Sequence, residues 1–323
     1  MPYPLFHIQA SDPDTGKVLA ETAMAAGVST ELGCRSCHGG EWRVAGKAGI
    51  SEATAMDILE THDKNEKTDL ADRASKGSPV RCQECHTNST QTKEGEPGDT
   101  PNDSGGMLNF SAAIHGFHAN YMTGRRGDAC LECHPSSATG KTGALRDIHA
   151  GLGFDCTDCH GTMEDHSLAL LKNEKEAGKS TGHLMKHLSP VQARNVDEIN
   201  PRAPRVQQPD CLNCHQDFGP PDMGSLYGFN RWTEEENGLF RMRHENLGEV
   251  MCQACHGTSH AVYPADNMFG KNRDNIPAVQ HQKTALPIGA NRNCSVCHTM
   301  EMDYEIHHEN MTTPFRNDWI LEE

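Results

Sequence analysis

The apolar positions of this chain fall into a few short helical runs separated by long polar stretches. From Ser51 to His62, a serine start is followed by Met56, Ile58, Leu59 and His62. Leu59 and His62 lie three apart, so the histidine shares the apolar face of a predicted helix. Ser167 to Ala177 is a second helical run. A third begins at Thr233, with Glu234, Glu235 and Glu236 in the first turn, where the helix dipole favours acids. It continues to Phe240 and His244, four apart on one face. No convincing run of alternating apolar and polar residues predicts a strand. Thr87 to Gly106 is dense in Thr, Gly, Asp, Asn and Pro, and Pro190 to Pro209 holds four prolines among few apolar residues. Both stretches read as loops. The pattern predicts a mainly α chain with much irregular coil and little β.

Composition sharpens this. Hydrophobic residues make up 35% and aromatics 5%, both low for a globular chain. Alone, such values would suggest disorder. The cysteines argue otherwise. All 14 sit in Cys-x-x-Cys-His pentapeptides: Cys34-Cys37-His38, Cys82-Cys85-His86, Cys130-Cys133-His134, Cys156-Cys159-His160, Cys211-Cys214-His215, Cys252-Cys255-His256 and Cys294-Cys297-His298. Two cysteines three positions apart reach the two vinyl groups of one porphyrin, and the next residue offers an imidazole to its iron. The motif is the signature of covalent haem c attachment. Zinc knuckles also use Cys-x-x-Cys, but they pair two for four ligands. Here a histidine follows every pair and the number of pairs is odd. Seven haem c groups are therefore expected, bound through the 14 thioethers and seven proximal histidines. With about 46 residues for each, the haems are expected to stack on one another and form the core.

The chain resembles the multihaem c-type cytochromes of anaerobic respiratory microbes. The seven motifs carry the resemblance along the whole length. His115-Gly116-Phe117-His118, Cys255-His256-Gly257-Thr258-Ser259-His260 and Leu286-Pro287-Ile288-Gly289 are similar to phrases in large extracytoplasmic members. The resemblance implies electron transfer in anaerobic or extracellular respiration, with some members forming haem-stacked filaments.

Thirteen of the 20 histidines lie outside the motifs, enough for a distal imidazole on every haem. Met is the other common axial partner, and 14 are present. The leading distal candidates are His149, His166, His244 and His260. They flank one local device used twice: His149-x6-Cys156 through His166, and His244-x7-Cys252 through His260. His115 and His118, three apart, could serve two neighbouring haems. His281, His62, His183 (or His187) and His307 (or His308) complete the set. Four motifs precede the proline-rich stretch and three follow it. The expected organisation is a four-haem region over 1–189, a linker over 190–209 and a three-haem region over 210–323.

The net charge of −16 argues against nucleic acid and suits an acidic protein docking on basic patches of redox partners. No stretch of 18 apolar residues occurs, so no membrane span is expected. Met1 to Ala10 lack a signal-peptide pattern. Thioether attachment normally takes place outside the cytoplasm, which makes an extracytoplasmic location the expectation. Two functions compete. One is a bis-histidine electron carrier serving redox partners or extracellular acceptors, with head-to-tail self-assembly suggested by His7 at one end and His307 and His308 at the other. The other is a reductase of a small nitrogen or sulfur oxyanion with one open iron. The Cys-x-x-Cys-Lys variant that marks some such enzymes is absent from the sequence.

Overall fold

The computed structural model describes residues 5–25, 32–39, 49–86, 106–124, 126–134, 145, 148–204, 207–216, 221, 228–233, 252–256, 259–260, 283, 287–288, 295 and 299. The chain divides into two compact units. The first is built from Met1–Pro79, Cys130–Phe154 and His256–Leu286, the second from Val80–Ala129, Asp155–Cys255 and Pro287–Glu323. Among the described residues helix is the main regular structure, and strand is confined to one hairpin.

In the first unit, β1 (Leu5–Ser11) pairs antiparallel with β2 (Val18–Ala25), placing Ile8 opposite Thr22 and Gln9 opposite Glu21. The Asp12 carboxylate closes the turn by accepting from the Asp14 and Thr15 N–H groups and the Thr15 hydroxyl. The hairpin keeps to the expected little β, at a place where the sequence pattern predicts no strand. Its signal was short but present: Phe6, Ile8 and Ala10 alternate with His7, Gln9 and Ser11 ahead of an Asp-Pro-Asp-Thr-Gly turn. Helix α1 (Glu52–Glu66) starts where Ser51 predicts, with the serine hydroxyl accepting from Thr54 N–H at 3.2 Å. It runs past His62 to a left-handed Lys67. Asp63 then accepts from the Leu70 and Ala71 N–H groups, both at 2.8 Å, and so fixes the start of α2 (Leu70–Ser75). A short helical turn, α5, covers Ile148–Gly151. Among the residues of this unit whose side-chain burial is described, no apolar side chain is buried, and the one buried residue is Thr54. Leu32, Ile50, Leu131 and Leu152 are exposed.

The second unit has a protein core. It contains α3 (Phe110–Ala119), α6 (Cys156–His160), α7 (Met163–Glu176), α8 (Gly182–Met185) and α9 (Cys252–His256). α4 (Arg126–Leu131) carries the first cysteine of the third motif. The predicted helix over 167–177 begins earlier, because Thr162 and Asp165 form a capping box that starts α7 at Met163. Nine of its residues are buried, so this helix is central rather than amphipathic. Leu168, Leu170 and Leu171 are fully buried, each stabilising by roughly 1.5–3 kcal/mol. α3 crosses α7 at Gly116, where an added Cβ would lie 3.1 Å from Leu171 and 3.2 Å from Leu184.

A buried carboxylate locks the same pair of helices. Glu174 on α7 accepts from the backbone and side-chain N–H groups of Asn109, both at 2.7 Å, and pairs with Lys179 at 2.9 Å. Asn109 in turn caps α3. Residues 190–209, expected as a linker, lie inside this unit. Asp165 accepts from Val191 and Gln192 N–H, Lys172 donates to the Val196 and Asp197 carbonyls, and Ile199 is fully buried. The predicted helix from Thr233 to His244 and most of the predicted 87–106 loop lie outside the described residues.

Replacing Glu174 with alanine strands three donors in a dry site. The expected cost is about 3 kcal/mol, read as a lower midpoint in denaturant unfolding followed by far-ultraviolet circular dichroism.

Candidate functional site: the Cys-x-x-Cys-His turns

Six of the seven motifs lie in the described residues, and each closes on a helical turn. In four of them the same two hydrogen bonds return to the first cysteine. Its carbonyl accepts from the second cysteine's N–H at 3.2 Å and from the histidine's N–H at 2.8–2.9 Å, for Cys34, Cys82, Cys130 and Cys211. The fourth and sixth motifs are the single-turn helices α6 and α9. Such a turn puts positions i, i+3 and i+4 on one side, so both thiols and the imidazole face one way. Local sequence starts some of these turns. Asp155 and Asp210, each just before a first cysteine, accept from the N–H two residues on, at 2.7 and 2.9 Å.

Proton positions on the histidines follow from their partners. The Nδ1–H of His86 donates to the Leu108 carbonyl at 2.9 Å, that of His115 to Ser111 O at 2.8 Å, and that of His118 to Ile114 O at 2.7 Å. His38 Nδ1–H donates to the Asp57 carboxylate at 3.1 Å. For His62 the partner is the Thr68 hydroxyl at 2.9 Å, which spends its own proton on Asp63 at 2.5 Å and so must accept from the ring. In all five the partner holds a proton on Nδ1, which leaves Nε2 as the nitrogen that would ligate a metal from the neutral ring.

His160 differs. The Arg202 guanidinium donates to its Nδ1 at 3.1 Å, which places the ring proton on Nε2. His160 suits iron through Nε2 only when Arg202 turns away and the proton returns to Nδ1. Arg202 is 8% exposed, donates also to Gln207 O, and lies 5.1 Å from the Trp232 ring centre. Burial pushes its pKa down to about 10, so it stays a buried cation at neutral pH.

The distal candidates are placed unequally. His166, on α7, lies 5.8 Å from His160 and 4.7 Å from His115, ring centre to ring centre. The structure thus gathers one motif histidine with two distal candidates. His62 is on α1 and His118 on α3. His149, on α5, packs edge-on against Phe154 at 5.6 Å. His183, at α8, is exposed, as is His260, which bridges to Leu145. His7 is exposed on β1. Cys294, Cys297, His298, His244, His281, His307 and His308 lie outside the described residues. Among the described residues no group of three or more His, Cys, Asp or Glu is arranged to hold a bare metal ion. Asp57, the Leu108 carbonyl and Arg202 were not legible as partners, since they reach their histidines across 19, 22 and 42 residues.

Two motifs touch in the first unit. Gly33 N–H donates to the Cys133 carbonyl at 3.0 Å. The Cys133 thiol is pushed up to about 11 by burial, then by the neighbouring Cys34 and Cys37 and by Glu132.

Compared with known proteins, the chain matches no family model, no curated protein and no solved structure.

Gly161 directly follows His160 at φ +80°, and an added Cβ would lie 2.6 Å from the Phe229 ring. Gly161→Ala should destabilise by about 1–3 kcal/mol and lower the thermal midpoint. Alanine at Gly182, where an added Cβ meets nothing within 4 Å, should leave the midpoint nearly unchanged.

Proposed function

We propose that this chain is an electron-transfer protein carrying seven covalently attached haem c groups, with stacked haems completing its core. The observation that carries the reading is the repeated turn. Every one of the 14 cysteines belongs to a Cys-x-x-Cys-His motif, and four described motifs share one hydrogen-bond pattern that aims two thiols and an imidazole to the same side.

The thiols would hold each porphyrin by thioether bonds, and His38, His86, His134, His160, His215, His256 and His298 would be the proximal ligands. Each group supplies reversible one-electron iron chemistry when bound. The chain's own part is to fix the ligands and their protons. His62, His115 and His118 already hold Nδ1–H on an oxygen acceptor, which suits them as distal ligands. His166 is suited by its place beside His160.

The distribution of core residues supports stacked haems. All buried apolar side chains among the described residues belong to the second unit. Among the first unit's side chains whose burial is described, no apolar one is buried, and large apolar faces supplied from elsewhere would suit its hairpin and helices. Haem faces have that character, and the exposed Leu32 and Leu131 lie beside or within motifs one and three.

Attachment outside the cytoplasm follows from the thioether chemistry. The acidic surface suits basic patches on donor and acceptor proteins. Among the described residues no helix is long and apolar enough to cross a membrane.

Intact mass of the purified protein should show seven haem additions, and a pyridine haemochrome assay the same count. Fewer than six would defeat the reading. The ferric protein should be low spin throughout. His149→Ala should turn one haem of seven high spin, seen by electron paramagnetic resonance, and an unchanged spectrum would remove His149 from the ligand set.

A further inference from the structure

The spacing of motifs along the chain gives no reason for the first and third to be partners, since the second lies between them. The geometry points to a direct pairing of motif one with motif three, so that the groups they carry are neighbours in space although not in sequence. This rests on the haem reading above.

Two observations converge on the contact. Gly33, immediately before Cys34, donates its N–H to the carbonyl of Cys133 at 3.0 Å. Gly33 also has no room for a side chain: an added Cβ would lie 1.8 Å from the Glu132 carbonyl oxygen and 3.2 Å from the Cys133 Cα. The backbones of the two motifs are therefore in direct contact, which only glycine permits here. Each thiol is the point from which a porphyrin hangs. Two porphyrins tethered one side chain away from touching backbones are held as an adjacent pair. Both motifs belong to the same compact unit, and motif two belongs to the other.

The second unit repeats the device once. Gly228 has no room either, because an added Cβ would lie 2.6 Å from the Asp158 carbonyl oxygen in motif four and 3.5 Å from Cys214 Sγ in motif five. There the neighbours are consecutive in sequence. The pairing of one with three is thus a property of how the first unit closes, not a general skip.

The test uses the full haem-loaded chain. Hydrogen exchange on the wild type should show the Gly33 amide protected, and the Cys130→Ser/Cys133→Ser double variant should lose that protection by about tenfold or more. A Gly33 amide that exchanges as an exposed one in the wild type would overturn the pairing. Gly33→Ala, which forces the motifs apart, should weaken the Soret couplet in circular dichroism that two adjacent haems produce. Gly151→Ala, where an added Cβ meets nothing within 4 Å, should keep the couplet. If Gly33→Ala retains seven haems with an unaltered couplet and unaltered exchange, the pairing is wrong while the haem reading stands. If the wild type carries no haem but Gly33 is protected, the backbone contact stands and the haem reading falls.

Discussion

Ordering a residue costs about 1–2 kcal/mol of backbone entropy, and burial of apolar surface must offset it. The two units meet that constraint differently. The second buries Leu168, Leu170, Leu171, Ile199 and Phe229 completely, with Glu174 and Asp165 supplying the hydrogen bonds that a dry interior requires. The first buries only Thr54 among the side chains whose burial is described and leaves Leu32, Ile50, Leu131 and Leu152 exposed. Its hairpin, a two-stranded sheet, is marginal by itself in water. The low aromatic and hydrophobic content of the whole chain has its local expression here. On our proposal, the haems of motifs one and three would supply apolar surface to this unit.

The hydrogen bonds behind the histidines form a graded series. His38 rests on a carboxylate, His86, His115 and His118 on backbone carbonyls, His62 on a hydroxyl and His160 on a guanidinium. A carboxylate behind an imidazole raises its basicity as a ligand, a carbonyl does so less, and a buried cation opposes it. On our proposal, the motifs of His38, His86 and His160, alike in their ligating residues, would therefore differ in potential through partners 19, 22 and 42 residues away.

What the sequence made legible was whatever is local. The seven pentapeptides need only five residues each. The start of α1 rests on Ser51, and the helical turn that carries His115 and His118 spans three residues. Boundaries set by longer reach were lost. α7 begins at Met163 because Thr162 and Asp165 cap each other, yet Thr162 reads as the tail of a motif. The prolines of 190–209 read as a loop, while Asp165 and Lys172 pin that stretch through backbone groups that carry no sequence signal. The hairpin was hidden by the brevity of its alternation, three apolar positions in a polar context. Asp57 looks like any surface acid of a helix until the fold sets it against His38.

The first unit is assembled from three separate lengths of chain, the last ending at Leu286. It cannot close until the chain is present as far as its third segment, His256–Leu286. Contacts of such sequence separation form slowly. On our proposal, motifs one and three would remain on an open chain through that interval, accessible to whatever machinery couples porphyrin to cysteine. The discontinuous topology would then set a schedule: modification first, closure afterwards, with the attached groups nucleating a unit that buries no apolar side chain among those whose burial is described.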